Sequence, residues 1–117
     1  MTQMAIRYLN QELMDNFDDQ DFQQKHPFPW VNPQGFIDPA TYQELLDNMP
    51  PLEQFTPSFG KQRKSGQASH DRYILDYEDG IELPEPWARF MEELLSDTYR
   101  DFVCRLLQVK HVRFRFH

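Results

Sequence analysis

Four histidines, His26, His70, His111 and His117, are the side chains in this 117-residue sequence best suited to hold a metal or move a proton. None opens a His-x-Asp or His-x-Glu step, the spacing by which one strand supplies two ligands of a two-histidine, one-carboxylate iron site. His111 and His117 would share a strand face, but six residues of extended chain set them ~20 Å apart, too far for one ion. Exposed histidines are the reading this spacing favours, and His70-Asp71 reads as loop polarity. The acidic run Asp15, Asp18, Asp19 and Asp21 offers alternating oxygens at Asp19-x-Asp21-x-Gln23. It lacks the glycine and closing glutamate of a calcium loop, so a solvated connector is expected. Gly60, Lys61, Arg63, Lys64, Ser65 and Gly66 have the composition of a phosphate loop without its order. A solvated charge run is the plain reading there, and attraction of an anionic ligand is the alternative. Cys104 lies beside a helical apolar stripe between Arg100 and Arg105, where a small buried hydrophobe is the default for a lone cysteine. No nucleophile elbow or Ser-His-Asp arrangement is present. No residue is therefore assigned a catalytic or metal-ligating role, and cofactor-binding residues stay unassigned.

The chain offers one domain spanning residues 1–117, or part of one. Ten Phe, five Tyr and two Trp supply a core, while nine Pro imply much irregular structure around it. A net charge of −7 argues against nucleic-acid binding through phosphates. The single cysteine forbids an internal disulfide and fits a cytoplasmic protein. No apolar run approaches the roughly 20 residues of a membrane span, and the N-terminus lacks the basic and apolar parts of a signal peptide.

The firmest local signal runs from Pro27 to Pro50. Pro27 and Pro29 hold their neighbours extended, Trp30 and Val31 favour a short strand, and Asn32 to Gly35 favour a turn. Asp38 then caps a helix begun by Pro39, with Ile37 and Tyr42 spaced for a hydrophobic staple. Tyr42, Leu45, Leu46 and Met49 make its expected apolar stripe, and Pro50-Pro51 ends it.

Before this stretch, Ile6, Leu9, Leu13 and Phe17 predict a helix from Met4 to about Phe17. After it, residues 50–69 read as a mobile loop. Arg72 to Tyr77 predicts a strand with Tyr73, Leu75 and Tyr77 on one face, ended by a turn at Glu78-Asp79-Gly80. A helix begins near Pro86 with Trp87, Phe90, Met91, Leu94 and Leu95 on one face. A second, capped by Ser96, carries Tyr99, Phe102, Val103 and Leu106. In 109–117, Val112, Phe114 and Phe116 alternate with His111, Arg113, Arg115 and His117, the pattern of a half-buried strand. An unpaired strand of this kind invites association, which suggests that the chain is part of something larger. The fold class expected is α+β, with helices packed on a small, mostly antiparallel sheet.

Taken in order, Pro-Phe-Pro-Trp-Val, Gly-Phe-Ile-Asp-Pro, Tyr-x-x-Leu-Leu-x-x-Met-Pro, Arg-Tyr-Ile-Leu, Pro-Trp-x-x-Phe, Tyr-Arg-x-Phe and Val-Arg-Phe-Arg-Phe resemble the N-terminal portion of a bacterial Fe(II)- and 2-oxoglutarate-dependent oxygenase of the prolyl-hydroxylase-like type. The resemblance covers nearly the whole chain and is one of pattern, with Phe36-Ile37-Asp38-Pro39 its most specific piece. It implies the helical support and first strands of a double-stranded β-helix. That family's iron-binding His-x-Asp pair, distal His and basic 2-oxoglutarate anchor follow the strand resembling Val109–Phe116, so none is carried over. These residues alone are expected to be inactive and to bind neither Fe(II) nor 2-oxoglutarate. The Lys61–Ser69 loop would be a substrate-facing lid. The other reading is a small non-enzymatic α+β interaction module. In either, the 109–116 strand pairs with the rest of an oxygenase domain or with a protein partner.

Overall fold

The computed structural model describes residues 5–60 and 71–117. The protein is α+β, and the described residues form five helices and one two-stranded antiparallel sheet. Its elements are α1 (Gln11–Asn16), α2 (Asp19–Gln23), α3 (Pro39–Asp47), a 3-10 turn (Leu52–Gln54), β1 (Thr56–Ser58), β2 (Arg72–Ile74), α4 (Glu85–Leu94) and α5 (Asp97–Leu107). No helix among the described residues is long and apolar enough to cross a membrane.

Side-chain caps set most of the helix starts. Asn10 accepts from the Leu13 amide and starts α1, and Asp18 accepts from the Gln20 and Asp21 amides and starts α2. Asp38 accepts from the Thr41 amide with Pro39 at the first helical position, as the sequence predicts. Ser96 accepts from the Tyr99 amide and separates α4 from α5, so the two-helix reading of this region holds. At the end of α5, Gln108 turns left-handed at φ 56° and directs the chain into 109–117. Gly80 likewise adopts φ 84° in the turn that Ile81 closes by donating to the Glu78 carbonyl.

The core is small. Leu9, Met14, Phe22, Phe102 and Leu106 form its buried centre, with Phe17, Phe36, Ile37, Phe90 and Leu94 packed around it. Burying such side chains stabilises the fold by about 1.5–3 kcal/mol each. Phe36 stacks on Phe102 at 6.0 Å, and Phe17 meets the same ring edge-on at 5.8 Å. Thus α1, α2 and the chain before α3 all close against α5.

Several expectations are corrected. The helix expected from Met4 to Phe17 begins only at Gln11; Leu9 instead bridges Ile37 in antiparallel fashion. The Asn10 amide donates to the Phe36 carbonyl, and the Asp38 amide to the Tyr8 carbonyl. These long-range bonds draw the segment out of the helical pattern that its periodicity favours. The expected acidic connector is in part α2, because Asp18 caps a turn whose Phe22 the core buries. Trp30 and Val31 form no strand and are exposed. Within 50–69, expected to be a loop throughout, Thr56–Ser58 pairs with β2 in the register Thr56↔Ile74, Pro57↔Tyr73, Ser58↔Arg72. Proline is tolerated there because a two-stranded sheet consists only of edges. The strand expected to reach Tyr77 ends at Ile74. Residues 61–69, the basic part of that loop, and His70 lie outside the described residues.

The stripe of α3 is also displaced. Thr41 and Leu45 are its buried residues, whereas Tyr42, Leu46 and Met49 are exposed. Thr41 Oγ1 donates to the Tyr8 carbonyl, and Trp87 Nε1 donates to the Leu45 carbonyl. The helix is held by the 7–9 segment on one side and α4 on another, which rotates its apolar face toward solvent.

Candidate functional site

Two regions concentrate unusual chemistry, one polar and closed, the other apolar and open. The closed region centres on Glu93 of α4, which is fully buried. Its carboxylate accepts from three consecutive backbone amides: Arg7 at 3.1 Å, Tyr8 at 2.9 Å and Leu9 at 3.1 Å. Arg89, one helical turn earlier, donates its Nε to the same carboxylate at 3.4 Å and its guanidinium to the Ala5 carbonyl. A buried carboxylate is tolerable only when its lone pairs are met in this way. Beside it, Tyr8 Oη donates to Glu44 Oε1 at 2.9 Å, and Arg7 pairs with Glu44 at 2.8 Å. Burial first, then the hydrogen bond to Glu44, pushes the Tyr8 phenol above its ordinary pKa. The buried carboxylate is met entirely by protein donors, while Arg7 and Glu44 reach solvent, and the cluster acts as a clasp joining the 7–9 segment, α3 and α4.

Sequence reading missed Glu93. Helical periodicity set it about 60° beyond Phe90, off the edge of the apolar stripe and beside Arg89, where a solvated ion pair is the expected reading.

The open region lies where α4, the chain after β2 and residues 111–117 meet. A 320 Å³ cleft here is lined mainly by apolar groups, among them Phe55, Leu75, Tyr77, Trp87, Met91 and Phe116, with His117 at its edge. Burial along 111–117 alternates without a break: Val112, Phe114 and Phe116 are half-buried, and His111, Arg113, Arg115 and His117 are exposed. Phe114 packs on Tyr99 of α5 at 5.3 Å and on Phe116 at 5.8 Å. Tyr99 in turn packs on Phe36 and Phe102, so an aromatic line runs from the core to the cleft. Burial raises the Tyr99 phenol above its ordinary pKa as well. The backbone is far less engaged. Among the described residues, the Tyr77 amide donating to the Phe116 carbonyl at 3.0 Å is the backbone bond holding this segment, and no ladder forms. The alternation expected of a strand is present, whereas the pairing that would make it one is not.

The remaining candidates are scattered. His26, His111 and His117 are exposed, and Cys104 is half-buried on α5. Asp19 lies beside Arg105 at 3.9 Å, and Asp21 pairs with Lys25 at 3.2 Å. No three His, Cys, Asp or Glu side chains gather in ion-binding geometry among the described residues. These residues do not fit an iron centre, and no step of metal chemistry is assigned to them. What the open region can do is dock: it presents an apolar floor and a strand-like edge.

Comparison with known proteins finds no match to any protein-family model, curated protein or solved structure.

Proposed function

We propose that this chain is a non-catalytic scaffold, the N-terminal helical layer of an Fe(II)- and 2-oxoglutarate-dependent oxygenase, against which the β-rich catalytic portion docks. The observation that carries this reading is the alternating 111–117 segment: one side is committed to α5 through Phe114, while the backbone makes a single bond among the described residues. A strand in that condition is completed by another strand. The ordered resemblance of the sequence to that family supplies the identity of the sheet. The Phe36–Pro39 helix start supports it locally, since Asp38 caps and Pro39 begins a helix there. On this reading Fe(II) and 2-oxoglutarate belong to the docked portion. That portion would use O₂ to convert 2-oxoglutarate to succinate and CO₂ while hydroxylating a C–H bond. The residues here bear its weight and touch none of its chemistry.

A second reading, a free-standing interaction module, is favoured by a specific observation. More large apolar side chains are exposed than buried among the described residues: twelve against seven. Tyr42 and Leu46 of α3 and Met49 just beyond its end belong to this exposed set. Such a surface is what a partner covers.

One experiment separates the two. The complete product of the reading frame containing this sequence is supplied with Fe(II) and assayed for O₂-dependent conversion of 2-oxoglutarate to succinate. Turnover dependent on a His-x-Asp pair in the same polypeptide is the expected result. A complete product that neither binds 2-oxoglutarate nor forms succinate overturns the oxygenase reading and leaves the module.

A further inference from the structure

The scaffold reading leaves open the chemistry of the strand that completes the 111–117 edge, and the distribution of charge bears on it. Residues 109–117 carry +3, from Lys110, Arg113 and Arg115 with no acid, which leaves −10 on residues 1–108 of a chain whose total is −7. Of the six described cations before residue 109, five have carboxylate partners and Arg72 of β2 has none among the described residues. Arg7, Lys25, Arg89, Arg100 and Arg105 all lie within ion-pair distance of a carboxylate. Lys110, Arg113 and Arg115 pair with none of the carboxylates in the described residues. The residues outside that set, 1–4 and 61–70, contain no Asp or Glu. These three cations are thus unpaired in a protein with 19 acidic residues.

Their placement is regular. Arg113 and Arg115 share the exposed face with His111 and His117, two residues apart in each step. On an extended chain that spacing is ~6.6 Å, the repeat at which a facing strand presents its own same-side residues. Opposite charges directly across a strand pair attract, and like charges repel.

We infer that the 111–117 edge is built to receive an extended, acidic polypeptide segment from outside these 117 residues, with Arg113 and Arg115 paired to carboxylates at alternate positions of the incoming strand. The inference rests on the docking part of the scaffold reading and not on its enzymology. Backbone bonds from the incoming strand supply the unmet pairing, and charge fixes which strand is accepted and in what register. Nucleic acid offers no extended peptide backbone to meet the open N–H and C=O groups, so a polypeptide is the polyanion that suits this edge.

The test uses fluorescence polarisation with the 117-residue protein and three labelled probes: a short peptide alternating Glu and Val, its Lys and Val counterpart, and a single-stranded oligonucleotide of matching charge. The acidic peptide is expected to bind, more tightly at about 50 mM salt than at 500 mM, and the other two are not. The double variant R113E/R115E is expected to lose roughly tenfold or more in affinity for the acidic peptide and to gain affinity for the basic one. R113Q/R115Q serves if the reversal disturbs folding, with weaker acidic-peptide binding and an unchanged melting temperature as its expected result. Equal binding of both peptides, tighter binding of the oligonucleotide, or an unchanged preference in the variants overturns the inference. Succinate formation is not read here. Failure of the edge leaves the oxygenase assay untouched, and failure of that assay leaves the edge.

Discussion

The clasp around Glu93 and the segment 111–117 are both joined to helices by few residues, yet they are opposites in completeness. At the clasp, three backbone amides and the Arg89 guanidinium meet the buried Glu93 carboxylate, and Tyr8 and Arg7 meet Glu44 nearer the surface. At 111–117, side chains are half-committed, and the backbone makes one bond among the described residues. The difference teaches how to tell a finished interior from a prepared surface. A finished interior closes its polar account locally, since an unmet buried donor costs about 1–3 kcal/mol. A prepared surface leaves backbone and cations open where water or a partner can meet them.

The comparison breaks most sharply at Glu93. Replacing it with Ala strands three backbone amides and takes from Arg89 its carboxylate partner, so a loss of about 3–5 kcal/mol is expected in urea denaturation. A loss under about 1 kcal/mol would mean that water enters and the clasp is no closed unit. Next in size, Leu106→Ala opens the core beside Phe102 and should cost about 2–5 kcal/mol, whereas Phe114→Ala, half-exposed, should cost clearly less. Equal losses at the two positions would show that 111–117 belongs to the cooperative core. Smaller again is Asp38→Ala, expected to cost about 0.5–2 kcal/mol by removing the cap of α3. Amide hydrogen exchange should then accelerate in the first turn of α3 and not at the clasp.

The smallest effect is alkaline. Tyr8 and Tyr99 both have phenol pKa values raised in the folded state, Tyr8 by burial and then its bond to Glu44, Tyr99 by burial. The protonated phenols are therefore favoured by folding. Their stabilisation is whole below the unfolded value near 10 and is lost as pH rises through the folded values. Melting temperatures measured from pH 9 upward should fall, and Tyr8→Phe should flatten part of that fall. An unaltered alkaline limb in Tyr8→Phe would remove this residue from the explanation.

Legibility in the sequence followed the range of the forces involved. Asp38-Pro39 and Ser96 announced their helices because a cap is a contract between residues three apart. The alternation of 111–117 was equally readable, since a period of two is local, and it survives as alternating burial. Residues 6–9 misled for the converse reason. Their spacing suits a helix, but Phe36, Asp38 and Glu93 compete for their backbone from far along the chain. The stripe on α3 was recognisable as apolar, yet its direction depended on where Tyr8 and Trp87 stood.

By itself, then, the sequence determined where the helices of the second half begin, which side chains of the last segment share a face, and the separation of a basic edge from an acidic body. These are consequences of covalent order and nearest neighbours. Only the tertiary structure decided that Glu93 would be enclosed by three amides, that α3 would turn Tyr42 and Leu46 outward, and that 111–117 would lie against α5 with its pairing incomplete. Those outcomes depend on which distant groups meet a buried hydrogen-bond partner at the lowest free energy, and no local pattern encodes that competition.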